Sequence, residues 1–193
     1  MDSKATIIEL RQAVSPALLR LCAALEGRNC DSSPLDVLAA RRMGLLLVCA
    51  AMDALPNAGK VVIRDAAAGI AAFLRTDYHG IIIEEEEGLL ARLRPRLLIG
   101  DDLDDAIRQM QDEHRRDRQE AVVLAGKCEE LATGLGSDEA PATFASLRAF
   151  AERQRRHLAW EDAIIFPIAR DRLTSDDLSQ WMQAMRKRQR SVS

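Results

Sequence analysis

A chain of 193 residues, 48% of them hydrophobic and 30% charged, is long enough to bury one hydrophobic core. Its formal net charge of −3 argues against general affinity for nucleic acid, and no stretch approaches the roughly 20 apolar residues of a membrane span. The first residues, MDSKATIIELRQ, lack the charged, apolar and small-residue regions of a secretory signal peptide. The four cysteines lack CxxC spacing. We therefore expect a cytoplasmic protein with reduced thiols that binds neither nucleic acid nor membrane.

The chain divides by pattern into three segments. Residues 1–32 predict a helical N-terminal arm, and residues 33–172 predict a helical bundle. Residues 173–193 predict a closing helix with a basic tail, because Thr174 and Asp177 have the spacing of a capping box. If the chain forms a homodimer, we expect the arm or the closing helix to carry the contact.

The central segment has the pattern of four long helices, each with apolar residues spaced three and four apart. They run from Pro34 to the turn at Pro56, from about Val61 to about Leu93, from about Asp101 to about Leu131 and from about Ala142 to about Arg172. Glycines in the second helix predict a kink near His79 and Gly80. No strand pattern occurs, so the predicted fold is all-α: an up-down-up-down four-helix bundle with an extra helix at each end.

The fourth helix carries a polar pair inside its apolar stripe. His157 and Glu161 lie four residues apart, on the face that also holds Phe150 and Ile164. A buried carboxylate is costly unless positive charge meets it, and helical bundles often meet it with a metal ion. The candidate ligands are Glu85 or Glu86 on the second helix, His114 on the third, and His157 with Glu161 on the fourth. Four ligands suffice for one iron, manganese or zinc ion and are too few for two.

Arginine offers a second source of positive charge. Arg42 falls on the core stripe of the first helix, and Arg118 shares the stripe of His114. A guanidinium can bind a carboxylate through two nitrogens and does not deprotonate in a protein. The residues alone leave open whether a metal ion or arginine compensates the buried carboxylates.

Four sequence motifs carry a resemblance to a known family. DEH at 112–114, HLAWED at 157–162, IIFP at 164–167 and EEEEGLL at 84–90 resemble the hemerythrin-like, or HHE cation-binding, domain. The resemblance implies a four-helix bundle that holds a non-haem di-iron centre for binding or sensing oxygen or iron. It implies metal ligands at Glu86, His114, His157 and Glu161. Three positions depart from the family pattern, since Arg42, Ile82 and Arg118 stand where the family has ligands.

Two hypotheses fit these residues. In the first, the di-iron site has degenerated, no cofactor is bound, Arg42 and Arg118 compensate the carboxylates, and the protein is a cytoplasmic binding or regulatory module. In the alternative, the four candidate ligands hold one non-haem iron, manganese or zinc ion that binds or senses oxygen, another small ligand or iron. No nucleophile setting and no glycine-rich phosphate loop is present, which favours a binding protein over an enzyme.

Overall fold

Helices form all the regular structure in the computed structural model, which describes residues 33–101, 103–134 and 137–192. The main helices are α1 (Pro34–Ala54), α2 (Lys60–Arg75), α3 (Asp77–Ile83), α4 (Ala91–Leu93), α5 (Asp104–Thr133), α6 (Ala140–Arg172) and α7 (Ser175–Val192). A π-helical turn, Glu84–Leu90, joins α3 to α4. The predicted all-α fold is confirmed, while the predicted N-terminal arm lies outside the described residues.

Contacts between the helices define an up-down-up-down bundle. Arg75 near the end of α2 binds Glu129 near the end of α5 at 2.6 Å, whereas Arg94, just after α4, binds Gln111 near the start of α5 at 2.7 Å. The second arm of the bundle, which runs from α2 to α4, is therefore antiparallel to α5. Ion pairs between α1 and α6 follow the same reversed order. None of the helices within the described ranges has the length and apolar character that crossing a membrane requires.

Capping residues set the start of two helices. The Ser33 hydroxyl accepts a hydrogen bond from the Leu35 amide, and the Asp36 carboxylate accepts one from the Ser33 amide, so α1 begins with a capping box. At α7 the same exchange joins Thr174 and Asp177. The sequence pattern thus identifies the starts of the first bundle helix and of the closing helix.

The second arm of the bundle is less regular than the sequence predicts. The helix breaks at Thr76, whose hydroxyl donates to the Ala72 carbonyl at 2.9 Å, and not at His79 and Gly80. In the π-helical turn that follows, each backbone hydrogen bond spans five residues and not four, so the turn is wider than that of an α-helix. This widening changes which side chains of the glutamate run 84–87 face inward.

The core contains two cysteines whose thiols should be unreactive. Burial is the main cause that raises the pKa of Cys49 and of Cys128 to about 12. Because the thiolate is the reactive form, we expect iodoacetamide at pH 8 to leave both unlabelled in the folded protein and to label both after unfolding. Peptide mass spectrometry checks this, and labelling of either cysteine under native conditions would contradict the packing described here.

Candidate metal centre

Four buried side chains converge at the middle of the bundle. The π-helical turn supplies Glu85, α5 supplies His114, and α6 supplies His157 and Glu161. One nitrogen or oxygen atom from each lies within 4.8 Å of the other three. The helices that were predicted to carry the site therefore do meet around it.

The two imidazoles point their Nε2 atoms at each other across the centre. Nε2 of His114 lies 3.0 Å from Nε2 of His157 and 3.3 Å from Oε2 of Glu85. On the other side, Nε2 of His157 lies 3.1 Å from Oε1 of Glu161. Two nitrogens and two carboxylate oxygens thus surround one small volume.

Outer carboxylates fix the orientation of both rings. Nδ1 of His114 donates to Glu86 at 3.1 Å, and Nδ1 of His157 donates to Glu113 at 2.8 Å. An ionised carboxylate only accepts hydrogen bonds, so Nδ1 of each ring carries a proton, and Nε2 can act as a metal ligand when it carries none. A carboxylate behind an imidazole is the arrangement found at metal-ligating histidines.

Arg42 brings a permanent positive charge to the same centre. It is only 5% exposed, and its Nη2 lies 3.0 Å from Oε2 of Glu161 while its Nε lies 3.6 Å from Oε1 of Glu85. Its guanidinium also donates to Asp162 at 2.8 Å and to the Leu158 carbonyl at 2.9 Å. Arg42 therefore contacts both buried carboxylates, as its place on the α1 stripe predicts.

Glu86 and Arg118 lie at the edge of the centre. The residues alone leave Glu85 and Glu86 open as the inward ligand and the resemblance implies Glu86, whereas in the structure the π-helical turn directs Glu85 into the centre and Glu86 to its edge. Arg118 binds Glu86 at 3.3 Å and keeps 33% of its side chain exposed. It compensates the outer carboxylate and does not reach the centre. Ile82 is buried among apolar side chains.

The centre attracts positive charge, as the pKa values of its groups show. Burial lowers the pKa of His114, but hydrogen bonds with Glu85 and Glu86 outweigh it and raise the pKa to about 10. Burial also opposes charge on His157, and its contact with Glu161 again raises the pKa. Burial and the nearby Glu85 raise the pKa of Glu161. Protons accumulate at the centre when no other cation compensates its carboxylates.

Several residues around the centre are not predicted from the sequence. Glu113, directly before His114, accepts a hydrogen bond from His157, and its place inside the DEH motif is the signal that could have identified it. Deeper in the bundle, Gln154 accepts a hydrogen bond from Tyr78 at 3.2 Å and donates to Asp117 at 2.7 Å. This buried chain of polar groups links the second arm of the bundle to α5 and α6.

A cavity of about 380 Å³ between α5 and α6 reaches the edge of the centre. It is lined by Gln109, Glu113, Arg116, Asp117, Arg153, Arg156, His157 and Trp160. Because both His157 and its partner Glu113 border it, this cavity lies beside the centre.

Fold and site together define a helical bundle with histidines and carboxylates at its middle. The family model described as the hemerythrin HHE cation-binding domain matches residues 39–169. The match covers well over half of the sequence, so this chain belongs to the hemerythrin HHE cation-binding domain family, and the resemblance of its motifs is confirmed. No curated protein and no solved structure matches it significantly.

The family implies a bound cation, and the residues present fit one ion. Both oxygens of Glu161, one oxygen of Glu85 and Nε of Arg42 are buried without a hydrogen bond of good geometry, although ion-pair distances join them. Two imidazole nitrogens and two carboxylate oxygens make a donor set suited to iron, manganese or zinc. These four donors suffice for one ion, and Arg42 contacts the same two carboxylates.

Proposed function

We propose that this protein binds one divalent transition-metal ion at the centre of its bundle. Its ligands are Glu85, His114, His157 and Glu161, and Arg42 takes the place of the second cation of a paired site. The observation that carries the proposal is the pair of imidazoles whose Nδ1 atoms are held by outer carboxylates and whose Nε2 atoms converge at 3.0 Å. Without a metal ion, a proton must lie between these two nitrogens, and a metal ion would take the place of that proton.

Charge supports one ion and disfavours two. The carboxylates of Glu85 and Glu161 carry two negative charges and Arg42 carries one positive charge, all with little exposure to water. One divalent ion leaves a small positive excess that the outer Glu86, Glu113 and Asp162 can balance. A second ion would lie beside a guanidinium that cannot lose its proton, at a distance where the repulsion amounts to several kcal/mol.

The biological role that we propose is a metal-dependent binding or regulatory module. Iron, if bound, supplies reversible redox chemistry and affinity for small ligands, and a cavity lies beside His157. The residues of this chain hold the ion, orient both imidazoles through Glu86 and Glu113, and exclude bulk water from the buried carboxylates. Chemistry that needs two coupled iron ions is not part of this role.

A metal-free module is the second candidate, and one observation favours it. Arg42 contacts both buried carboxylates, so with a proton retained on His114 the centre would be electrically balanced without a metal ion. In that case the family's di-iron site has degenerated completely and the protein acts only through its surfaces.

Metal analysis distinguishes the two candidates. We expect purified protein supplied separately with Fe²⁺, Mn²⁺, Zn²⁺ or Co²⁺ to retain one ion per chain, measured by mass spectrometry of the metal and by titration calorimetry. His157→Ala and Glu161→Ala should each abolish retention, because each removes a ligand and leaves a buried partner unpaired. His79→Ala, which changes an exposed histidine on α3, is the matched control and should bind as the wild type.

Two results would contradict the proposal. Retention of no ion under any of these conditions would leave the metal-free module as the function. Retention of two iron ions per chain, with the absorption bands of a coupled iron pair, would show that Arg42 does not replace the second cation.

A further inference from the structure

Three consecutive glutamates of the π-helical turn face three different parts of the molecule. Glu84 faces α7, Glu85 faces the metal centre, and Glu86 faces α5. Each of the three carboxylates is thus held by a different part of the bundle.

The contact between Glu84 and α7 is buried and specific. The Trp181 indole nitrogen donates to Oε2 of Glu84 at 2.9 Å, and Arg188 binds both carboxylate oxygens at 3.0 and 2.6 Å. Trp181 is completely buried, and its indole lies against Gly88 of the same turn. Glu84 is therefore held by three hydrogen bonds from the C-terminal helix.

We propose that α7 positions the metal ligand Glu85, so that docking of the C-terminal helix and metal binding are coupled. This inference rests on the proposed metal site, and it assigns Trp181, Arg188 and Glu84 as positioning residues that do not touch the ion. Glu84 and Glu85 share a peptide unit, so fixing the carboxylate of one restricts the backbone that directs the other.

The direction of the coupling follows from conformational entropy. A free π-helical turn would have to order its backbone and the Glu85 side chain when the ion binds, and this ordering weakens binding. Docked α7 has already ordered the turn, so it strengthens metal binding. Since coupling between two binding events is reciprocal, the bound ion in turn stabilises the docked helix. Arg42 of α1 also lies within ion-pair distance of the Glu85 carboxylate, at 3.6 Å.

Conservative changes on α7 test the coupling. Trp181→Phe keeps an aromatic ring in the core and removes the donor, and Arg188→Gln removes the paired contact from a side chain that is partly exposed. We expect Co²⁺ affinity, measured by titration calorimetry, to fall about tenfold for each, within the 5- to 150-fold range typical of coupled sites. The visible absorption of bound Co²⁺, which reports ligand geometry, should change as well.

The matched control is Arg96→Gln. Arg96 binds Asp177 at the start of α7 and has no contact with Glu84, so this variant perturbs α7 without releasing the π-helical turn. Its Co²⁺ affinity and spectrum should equal those of the wild type. Hydrogen exchange in α7 should slow when Co²⁺ binds to the wild type and should not slow in Trp181→Phe.

Each outcome has a defined meaning. If the wild type binds one Co²⁺ and both α7 variants match it in affinity and spectrum, the coupling is wrong and the metal site stands. If the wild type binds no ion, both the metal site and the coupling fail. Should Trp181→Phe not fold, the milder Arg188→Gln gives the answer alone.

Discussion

Replacing Arg42 with alanine should lower the free energy of unfolding of the metal-free protein by about 3–5 kcal/mol. The guanidinium contacts both buried carboxylates and also donates to Asp162 and to the Leu158 carbonyl. Its removal leaves Glu161, which is fully buried, without its arginine partner. Urea unfolding followed by circular dichroism measures the change, provided that the slope of the transition stays constant.

Arg118→Ala is the matched control for this prediction. Arg118 also binds a glutamate of the π-helical turn, but a third of its side chain is exposed, so its loss should change stability by about 1 kcal/mol or less. A loss below about 1 kcal/mol for Arg42→Ala as well would mean that Arg42 is not a counter-charge.

Metal ions should rescue the Arg42 variant in part. Removing a fixed positive charge beside the ion strengthens metal binding, and a ligand that binds only the folded state stabilises it by RT ln(1 + L/Kd), where L is the free ligand concentration. We therefore expect the deficit of Arg42→Ala to shrink in saturating Zn²⁺. A deficit that is unchanged by Zn²⁺, in a variant that still binds the ion, would contradict the idea that arginine and ion share one electrostatic role.

Most of the fold could be predicted because local signals and periodicity agree. Ser33 with Pro34, and Thr174 with Asp177, mark helix starts through side-chain caps that need no tertiary information. Long apolar stripes then give the number of helices and their inward faces. The N-terminal arm lies outside the described residues, and a single chain does not test a dimer contact through the arm or the closing helix, so both stay predictions.

The candidate site could be predicted wherever its residues lie on regular helices. Arg42, His114, His157 and Glu161 lie on the unbroken helices α1, α5 and α6, where counting in steps of three and four keeps the correct phase. Each of them is buried in the bundle. Periodicity thus identifies the polar residues that occupy interior positions.

Glu85 could not be chosen over Glu86 because the helix there is not regular. A run of four identical residues has no internal pattern that sets its phase, and the π-helical turn shifts the phase again. Arg118 illustrates a different limit. Arg118 follows His114 by one helical turn, as the sequence indicates, but its long side chain extends outward to Glu86 and solvent. Helical periodicity places the backbone of a residue and does not give the direction in which a long side chain extends.

Substituting Gly88 with alanine should destabilise the protein by about 1–3 kcal/mol, although alanine is the better helix former by about 1 kcal/mol. A Cβ at this position would lie 2.1 Å from Nε1 and 2.5 Å from Cε2 of Trp181. The indole is rigid and completely buried, so either α7 or the π-helical turn must move. The steric penalty therefore exceeds the gain in helix propensity. Urea unfolding at equilibrium measures the difference.

Gly126 of α5 provides the matched control for Gly88, and Trp181 provides the rescue. A Cβ at Gly126 meets no atom within 4 Å, so Gly126→Ala should stabilise the protein by up to about 1 kcal/mol. Trp181→Ala alone should cost about 3–5 kcal/mol. In that background Gly88→Ala should become neutral or stabilising, because the atoms it would meet are gone. If Gly88→Ala remained destabilising there, the penalty would come from the π-helical backbone itself, and the close approach of Trp181 would not be the reason for glycine at this position.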